Sequence, residues 1–394
     1  GYTVAAELSL RGFEVWLCDA TPVEGEAAYI EQNVEVTLTG AMEGTATVRA
    51  VTNGPKAALA DTQLVVCCTI SNLDEQTARF IAPHLCPGSA VLISAGNLGA
   101  LIYHRVFQEL GVKEPIVGDT CGNLFSCRRL GDRVAFAGNG YSPKKVAAFP
   151  ARDTGKLVKA FEGIYELIPA SSLLETTFNA PNLLSHISLT IVNAGAIENA
   201  KEHYYIFKQG ICRSTLNLAD GMWAEKKKVM DALGLPCAPS PSGNHRKYAD
   251  PTVHQFDHFK NLIGPDSMSS RYITEDIPIL GFFFLSMAKA LGVETPLYAA
   301  MVKVAEAINQ TPYYQQGRTL ENLGLSHLRG VQLIRYFEGD VYRKERRHRE
   351  ENLTMGKTKL AKSTSPIQYI HIAISVLFMF GFGYLPPVST VTPV

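Results

Sequence analysis

The chain has 394 residues, of which 46% are hydrophobic and 19% charged; this balance excludes a disordered protein and suggests two or three domains. Its 37 basic and 37 acidic residues cancel, so a basic nucleic-acid-binding domain is not indicated and any anion must be recognised locally. Eight cysteines occur without a CxxC pair, a usage typical of free thiols in the cytoplasm.

The first predicted elements form half of a dinucleotide-binding unit. Residues 1–12 predict an amphipathic helix ending at Gly12, and residues 13–19 predict a strand ending at Asp19. In the fingerprint G-x-G-x-x-G, the last glycine opens such a helix and an acidic residue follows about 20 residues later, as Gly1 and Asp19 would. We therefore expect an N-terminally truncated Rossmann-type domain without its first strand, with Gly1 near the pyrophosphate and Asp19 near the ribose. Asp19 equally fits a residue that caps the turn after the strand.

Strands and helices continue to alternate up to about residue 150. Apolar runs at 61–69, 89–95 and 115–118 predict strands of a parallel sheet covered on both faces, and residues 73–85 predict a helix. Gly96 and Asn97 follow the second of these strands, at the edge where open α/β sheets bind ligands. Residues 1–150 are thus predicted to form an α/β domain that binds NAD or NADP, with Gly96 and Asn97 as further cofactor-binding candidates.

The chain then becomes helical. Helices are predicted over 193–205, 222–233, 278–291 and 297–309. Residues 280–287 are apolar nearly all round, which predicts a place deep in a helical core or at the interface of a homodimer. We expect residues 151–328 to form an all-α substrate domain, with the substrate in the cleft between the two domains.

Four motifs, in order along the chain, resemble the NAD/NADP octopine/nopaline (opine) dehydrogenase family. They are residues 118–128, residues 179–198 (an Asn, three residues, a His, then Asn-Ala-Gly), residues 271–278 and residues 317–324. With the N-terminal half-unit, the similarity runs from Gly1 to about residue 325. The family often has a proline soon after the histidine, where this chain has Ile187 and Ser188. The resemblance implies an enzyme that condenses an amino acid with a 2-oxo acid and reduces the product with NAD(P)H.

The resemblance also implies roles for individual residues. His186 is the expected proton-transfer residue, because imidazole titrates near neutral pH. Asp276 would orient His186 and stabilise its cation. Arg271 would hold a substrate carboxylate as a bidentate fork. Asn182 and Tyr272 are further candidate substrate-binding residues.

The residues alone leave other interpretations open. His186 could be a satisfied core histidine, Asp276 could cap the following helix, and Arg271 could pair with an acidic neighbour at the surface. Arg318 could contact the other domain or the cofactor, or belong to a turn. His254 and His258 have the i, i+4 spacing of metal ligands but lack a convincing third ligand, so no metal site is predicted.

The composition changes after about residue 328. Residues 343–350 are a run of charges, so 329–365 is expected to be a charged linker. Residues 366–394 are uncharged and resemble the opening segment of anion:sodium symporter-type permeases, so they predict a transmembrane segment or an artefact of two joined reading frames. A genuine fusion would attach a cytoplasmic enzyme to the membrane through this tail.

Two other functions fit the sequence. The first is a related oxidoreductase that oxidises a 2-hydroxy acid or reduces ketopantoate, although such enzymes typically place Lys or Glu where this chain has His186 and Asp276. The second is a non-catalytic nucleotide-sensing domain attached to a permease. The intact set of His186, Asp276 and Arg271 argues against it.

Overall fold

The computed structural model describes residues 1–19, 29–338 and 374–378. They form a large sheet with helices followed by a helical domain, so the predicted α/β plus all-α class is confirmed. The strands are β1 (Val15–Asp19), β2 (Ile30–Gly40), β3 (Gly44–Thr52), β4 (Leu64–Cys67), β5 (Ala90–Ile93), β6 (Ile116–Thr120), β7 (Cys127–Gly131), β8 (Val134–Ala137), β9 (Lys144–Ala148), β10 (Leu167–Pro169) and β11 (Ile374–Phe378). The α-helices are α1 (Tyr2–Leu10), α2 (Pro55–Leu59), α3 (Asp74–Ile81), α4 (Gly99–Glu109), α5 (Thr154–Ala160), α6 (Leu173–Phe178), α7 (Asn182–Thr190), α8 (Ala194–Ala200), α9 (Ile206–Gln209), α10 (Arg213–Leu233), α11 (Ser242–Ala249), α12 (Asp257–Lys260), α13 (Arg271–Thr274), α14 (Phe282–Ala290) and α15 (Pro296–Asn309).

The sheet is parallel at its centre and mixed towards its edges. Its strand order is β10-β9-β6-β5-β4-β11-β1-β3-β2-β8-β7. Every neighbouring pair from β3 across to β6 is parallel. Val65, Val66 and Leu92 are fully buried, as the continuous apolar runs predicted for a sheet covered on both faces. The antiparallel pairs β2–β3, β6–β9 and β7–β8 were not predicted.

Strand β11 fills the position where the sequence predicted a missing strand. It is parallel to β1 on one side and to β4 on the other, with Val376 opposite both Leu17 and Val66. The first strand of the fingerprint would stand beside β1, and in the structure a segment from the C-terminal part of the chain occupies that position.

The same strand corrects the interpretation of the tail. Residues 374–378 lie inside the predicted transmembrane segment, 366–394, yet they are extended and hydrogen-bonded within the sheet. No helix among the described residues has the length and apolarity needed to cross a membrane. The remainder of 366–394 and residues 339–365 of the expected linker lie outside the described part of the chain.

The sheet domain extends further along the chain than residue 150. Strand β10 pairs with β9, and α5 packs against β6, β9 and β10. The predicted boundary at 150 therefore moves to about Pro169, where the last of these strands ends.

The helical domain begins after β10. The predicted helices over 222–233 and 297–309 are confirmed as α10 and α15, although α10 starts earlier. The helix predicted over 193–205 ends at Ala200, since Lys201 has a φ of 50° that a right-handed helix cannot continue. The helix predicted over 278–291 begins with a π-helical turn, Ile277–Gly281, containing a proline that lacks a backbone donor. Phe283 and Phe284 are fully buried, so residues 280–287 pack within the core of this chain.

Candidate active site

Helix α7 carries the histidine at the centre of the site. All of its residues from Leu183 to Thr190 are buried, and it packs against α10 and α13. His186 itself is 8% exposed. Asn182 lies one turn earlier on the same helical face and is half-buried.

His186 forms a short hydrogen bond with Asp276, ninety residues further along the chain. The imidazole Nδ1 is 2.6 Å from the carboxylate Oδ2, and Asp276 is 2% exposed. The side chain of Asp276 does not cap the π-helical turn that follows it, so the capping alternative is not what the structure adopts. Because Nδ1 is engaged, Nε2 is the ring nitrogen left to exchange a proton with a substrate.

Tyr272 stacks on one face of the His186 imidazole. The two rings are stacked with their centroids 3.5 Å apart and their planes 7° from parallel. The Tyr272 hydroxyl accepts a hydrogen bond of 2.5 Å from Nη2 of Arg128, and the Arg128 guanidinium carbon lies 5.6 Å from the ring centroid. Tyr272 is only 4% exposed, so its ring packs against His186 and its other neighbours and hardly faces solvent. Arg128, on β7, ends the 118–128 motif but was not predicted to contact this site.

Arg271 lies one residue before Tyr272, at the start of α13. Its side chain is 43% exposed, and its Nη1 lies 3.5 Å from Oε2 of Glu275. Burial lowers the pKa of Arg271, but the nearby carboxylates of Glu275 and Asp276 outweigh it and raise this pKa overall, so the guanidinium stays charged. Pairing with an acidic neighbour, one of the sequence-based alternatives, therefore occurs and leaves further N–H donors of Arg271 for a ligand.

The predicted cofactor residues lie along one edge of the sheet. Gly1 directly precedes α1, which packs against β1 and β3. Asp19 is the last residue of β1 and is 7% exposed. These positions place a helix N-terminus and a carboxyl group beside the carboxyl ends of the central parallel strands.

The loop after β5 packs closely against Asp119 and Ser71. A Cβ added to Gly96 would lie 2.1 Å from Oδ1 of Asp119, so only glycine fits there. Asn97 is 3% exposed, has a positive φ of 51° and donates its side-chain amide to Oγ of Ser71 at 3.2 Å. The backbone of this loop, more than the Asn97 side chain, is thus presented at the edge.

Arg318 joins the helical domain to this loop. Its Nη1 donates to the carbonyl of Asn97 at 2.6 Å, and its Nη2 donates to the carbonyl of Ser71 and to Oδ2 of Asp74. Of the sequence-based alternatives for Arg318, contact with the other domain is therefore the observed one.

Two carboxyl groups lie buried under the loop. Burial raises the pKa of Asp74 to about 7, although Arg318 acts to lower it. Burial also raises the pKa of Asp119 to about 8, and the charge of Asp74 adds to that rise. Asp119 accepts the backbone N–H of Ala100 at 2.8 Å, and its other oxygen is buried without a hydrogen-bond partner among the described residues.

A second histidine lies behind α7. His245 is 2% exposed, and its Nε2 lies 3.2 Å from Oγ of Ser185. Burial, helped by the nearby His186 and opposed by Asp220, lowers the pKa of His245 to about 4, so His245 is neutral at pH 7. Neither periodicity nor motif spacing distinguished His245 from an ordinary helix residue.

The pair His254 and His258 does not build a metal site. His254 is exposed and bonds Oδ2 of Asp257 at 3.0 Å. Over residues 1–19 and 29–338, no cluster of three or more His, Cys, Asp or Glu side chains could hold a metal ion.

The helical domain is similar to a known protein family. Residues 169–309 match the family model of the NAD/NADP octopine/nopaline dehydrogenase alpha-helical domain. The resemblance predicted from the motifs is thereby confirmed for the helical domain.

Named relatives extend the similarity to most of the chain. An opine dehydrogenase of Arthrobacter sp. (strain 1C) is 26% identical over 342 residues, which cover 83% of this chain and 93% of that protein. A vitopine synthase of Allorhizobium ampelinum is 22% identical over 228 residues, covering 55% of this chain and 62% of that protein.

Solved structures share the fold. An octopine dehydrogenase with NADH and L-arginine superposes with a TM-score of 0.60 at 15% identity, over 86% of this chain and 95% of that one. A yersinopine dehydrogenase with NADP+ superposes with a TM-score of 0.53 at 14% identity, over 90% of this chain and 96% of that one.

Proposed function

We propose that this protein is an opine-type dehydrogenase, which uses NADH or NADPH to join the amine of an amino acid to the carbonyl carbon of a 2-oxo acid. In the forward direction the amine, the oxo acid, the reduced cofactor and a proton give a secondary amine, the oxidised cofactor and water. The relatives support this reading, since they include an opine dehydrogenase and octopine dehydrogenase structures described with NADH, L-arginine and pyruvate.

The observation that carries the proposal is the buried pair of His186 and Asp276. An imidazole fixed at Nδ1 by a carboxylate 2.6 Å away has a defined tautomer and a stabilised cation. Stacking on Tyr272 restrains the rotation of the ring as well. A histidine used only for packing would not need a charged partner that is itself 2% exposed.

Condensation requires two proton transfers that His186 can perform at Nε2. When the amine attacks the carbonyl carbon, the new nitrogen carries an extra proton, which Nε2 accepts. The imidazolium returns this proton to the former carbonyl oxygen, which becomes a hydroxyl group. The proton consumed in the overall reaction then lets this hydroxyl group leave as water while the protonated carbon–nitrogen double bond forms. Asp276 stabilises the imidazolium during the interval between these transfers.

Arg271 and Asn182 would hold the substrates for this chemistry. The exposed N–H donors of Arg271 can bind the carboxylate of the 2-oxo acid as a fork, which fixes the direction of its carbonyl. Asn182, one helical turn from His186, can donate or accept a hydrogen bond to the amino acid. We assign Tyr272 chiefly to orienting the imidazole, because its hydroxyl is already bonded to Arg128.

The sheet edge suits a nicotinamide dinucleotide. Gly1 and the start of α1 offer backbone N–H groups to the pyrophosphate, and Asp19 offers a carboxylate to ribose hydroxyls. Gly96 lies so close to Asp119 that no side chain can project from it, and with Asn97 it would form the floor near the reactive end. When bound, the cofactor supplies the hydride that reduces the carbon–nitrogen double bond.

The test is NADH oxidation with a 2-oxo acid, measured with and without an amino acid. A panel of pyruvate and 2-oxoglutarate against several amino acids is followed at 340 nm. We expect oxidation that depends on the amine and is lost in His186→Asn. Equal rates without any amine would instead indicate an enzyme that reduces the oxo acid to a hydroxy acid, and the proposal would fail.

A further inference from the structure

We infer that Glu275 is a positioning residue that couples the loop after β4 to the substrate-binding guanidinium of Arg271. We call this loop the cofactor loop, because its Ser71 accepts a hydrogen bond from Asn97, a candidate cofactor-binding residue. The inference rests on the proposed function and concerns a residue given no role above. Glu275 is 6% exposed and has hydrogen-bond partners in both domains. A buried carboxylate needs partners for its oxygens, and here each oxygen has one in a different part of the site.

One oxygen of Glu275 reaches the cofactor domain. Its Oε1 accepts the backbone N–H of Ser71 at 2.9 Å, a contact across 204 positions of sequence. Ser71 follows β4, on the same sheet edge as Gly96, and also receives Arg318 on its carbonyl. A second bond supports the contact, since the side-chain amide of Asn72 donates to the carbonyl of Thr274 at 3.2 Å.

The other oxygen of Glu275 faces the substrate side. Its Oε2 lies 3.5 Å from Nη1 of Arg271, one helical turn earlier. The next residue, Asp276, binds His186. One turn of chain thus bears the group that orients the proton-transfer residue and the group that orients the carboxylate-binding residue.

Through these contacts, the position of the Arg271 guanidinium depends on the conformation of the cofactor loop. Any shift of Ser71 when the dinucleotide binds changes where the Glu275 carboxylate rests, and the carboxylate in turn fixes one end of the Arg271 guanidinium. Arg271 is therefore best aligned for a 2-oxo acid when the loop is in its cofactor-bound position. The two ligands should then tighten each other's binding, by the same factor in either direction.

Glu275→Gln separates the two contacts. The amide oxygen of Gln can still accept from Ser71, but its NH₂ then faces Arg271, where two donors repel. Glu294→Gln is the matched control, because Glu294 is an exposed acid of the same domain. In the full chain, the Kd for NADH is measured by fluorescence with and without pyruvate, and kcat and KM are measured with amino acid present.

We expect Glu275→Gln to raise the KM for pyruvate about tenfold or more, with kcat within about threefold of wild type, and to abolish the tightening of NADH by pyruvate. Glu294→Gln should match wild type. Glu275→Asp, which keeps the charge but cannot span both contacts, serves in the same assays should the Gln variant not fold. Unchanged coupling in these variants, or a loss of kcat with KM unchanged, would overturn the inference.

The proposed reaction and the proposed role of Glu275 are refuted by different results. Wild-type turnover without any amine refutes the proposed reaction, whereas the NADH–pyruvate coupling is a binding measurement and still tests Glu275. Wild-type protein that shows no coupling refutes the role of Glu275 even if the condensation reaction proceeds.

Discussion

Replacing Asp276 with asparagine tests whether the buried carboxylate activates His186. The substitution conserves volume and can keep a hydrogen bond to Nδ1 through the amide oxygen, but it removes the charge that faces the imidazolium. Both side chains are buried and their atoms are 2.6 Å apart. Both charges are delocalised, so their effective separation lies between this distance and about 4 Å, where an effective dielectric constant of about 20 gives about 4–6 kcal/mol.

If that contribution acts in the transition state, kcat falls by about 10³–10⁴-fold. A similar loss, about 10⁴-fold, follows the corresponding change in a Ser-His-Asp triad. Folding should change little, by about 1 kcal/mol, because the amide keeps the hydrogen bond to Nδ1 and a neutral group is less costly to bury than a carboxylate.

The assay is amine-dependent NADH oxidation at saturating substrates, together with urea unfolding. Asp266→Asn is the matched control, since Asp266 is an exposed acid of the same domain that bonds only Ser267 in the described structure. An Asp276→Asn protein that folds and turns over within threefold of wild type would refute the assigned role of the carboxylate. A loss shared with the control would point to general damage instead.

Four further predictions follow from the interdomain contacts and the sheet. Arg318→Lys keeps a charge but cannot bond both loop carbonyls, so the KM for NADH should rise about tenfold in steady-state assays; an unchanged KM would argue against the contact. Gly96→Ala should lower the urea unfolding free energy by about 1–3 kcal/mol, because its Cβ overlaps a buried carboxylate, whereas Gly155→Ala, where nothing lies within 4 Å, should be neutral or stabilising. Asp119 keeps its proton in the folded state up to about pH 8 but loses it near pH 4 when unfolded, so its contribution to stability falls as pH rises from about 4 to about 8 and is constant above that. Asp119→Asn should therefore gain stability relative to wild type between about pH 5 and 8 in urea titrations, and a constant difference over that window would contradict this. Val376→Pro removes a backbone donor from a strand paired on both sides, which should cost about 3 kcal/mol of domain stability and weaken NADH binding; unaltered unfolding would show that the strand is dispensable.

The sequence predicted the class of the fold and one contact of the candidate site, but not every strand and side chain around them. His186 and Asp276 were proposed as partners from motifs alone, and the structure brings their atoms into contact across ninety positions. The resemblance could do this because it assigns both residues to one site although they lie in different motifs. It assigned no role to Arg128, inside the 118–128 motif, or to His245; tertiary packing brings Arg128 to Tyr272 and His245 to His186.

Strand β11 shows a limit of reading local pattern. An uncharged run such as 366–394 satisfies the composition of a membrane helix and of a buried parallel strand alike. Which one forms depends on whether a gap between two strands is available elsewhere in the chain, and periodicity cannot report that. In the structure, residues 374–378 lie between β1 and β4.

Glu275 shows why a charge pattern alone did not reveal a role. On the sequence it is one of two neighbouring acids before a proline, and an exposed helix start accounts for both. The structure separates them, since Asp276 turns to His186 and Glu275 turns to Ser71. Consecutive helical residues point about 100° apart, so adjacent acids can serve different partners.

The identity of the product tests directly whether the protein condenses an amino acid with a 2-oxo acid. Wild-type protein is incubated with deuterium-labelled NADH, a 2-oxo acid and a ¹⁵N-labelled amino acid, and the product is analysed by mass spectrometry. We expect one secondary amine that carries both the ¹⁵N of the amino acid and one deuterium on the former carbonyl carbon. Deuterium found only in a 2-hydroxy acid that lacks ¹⁵N would contradict it.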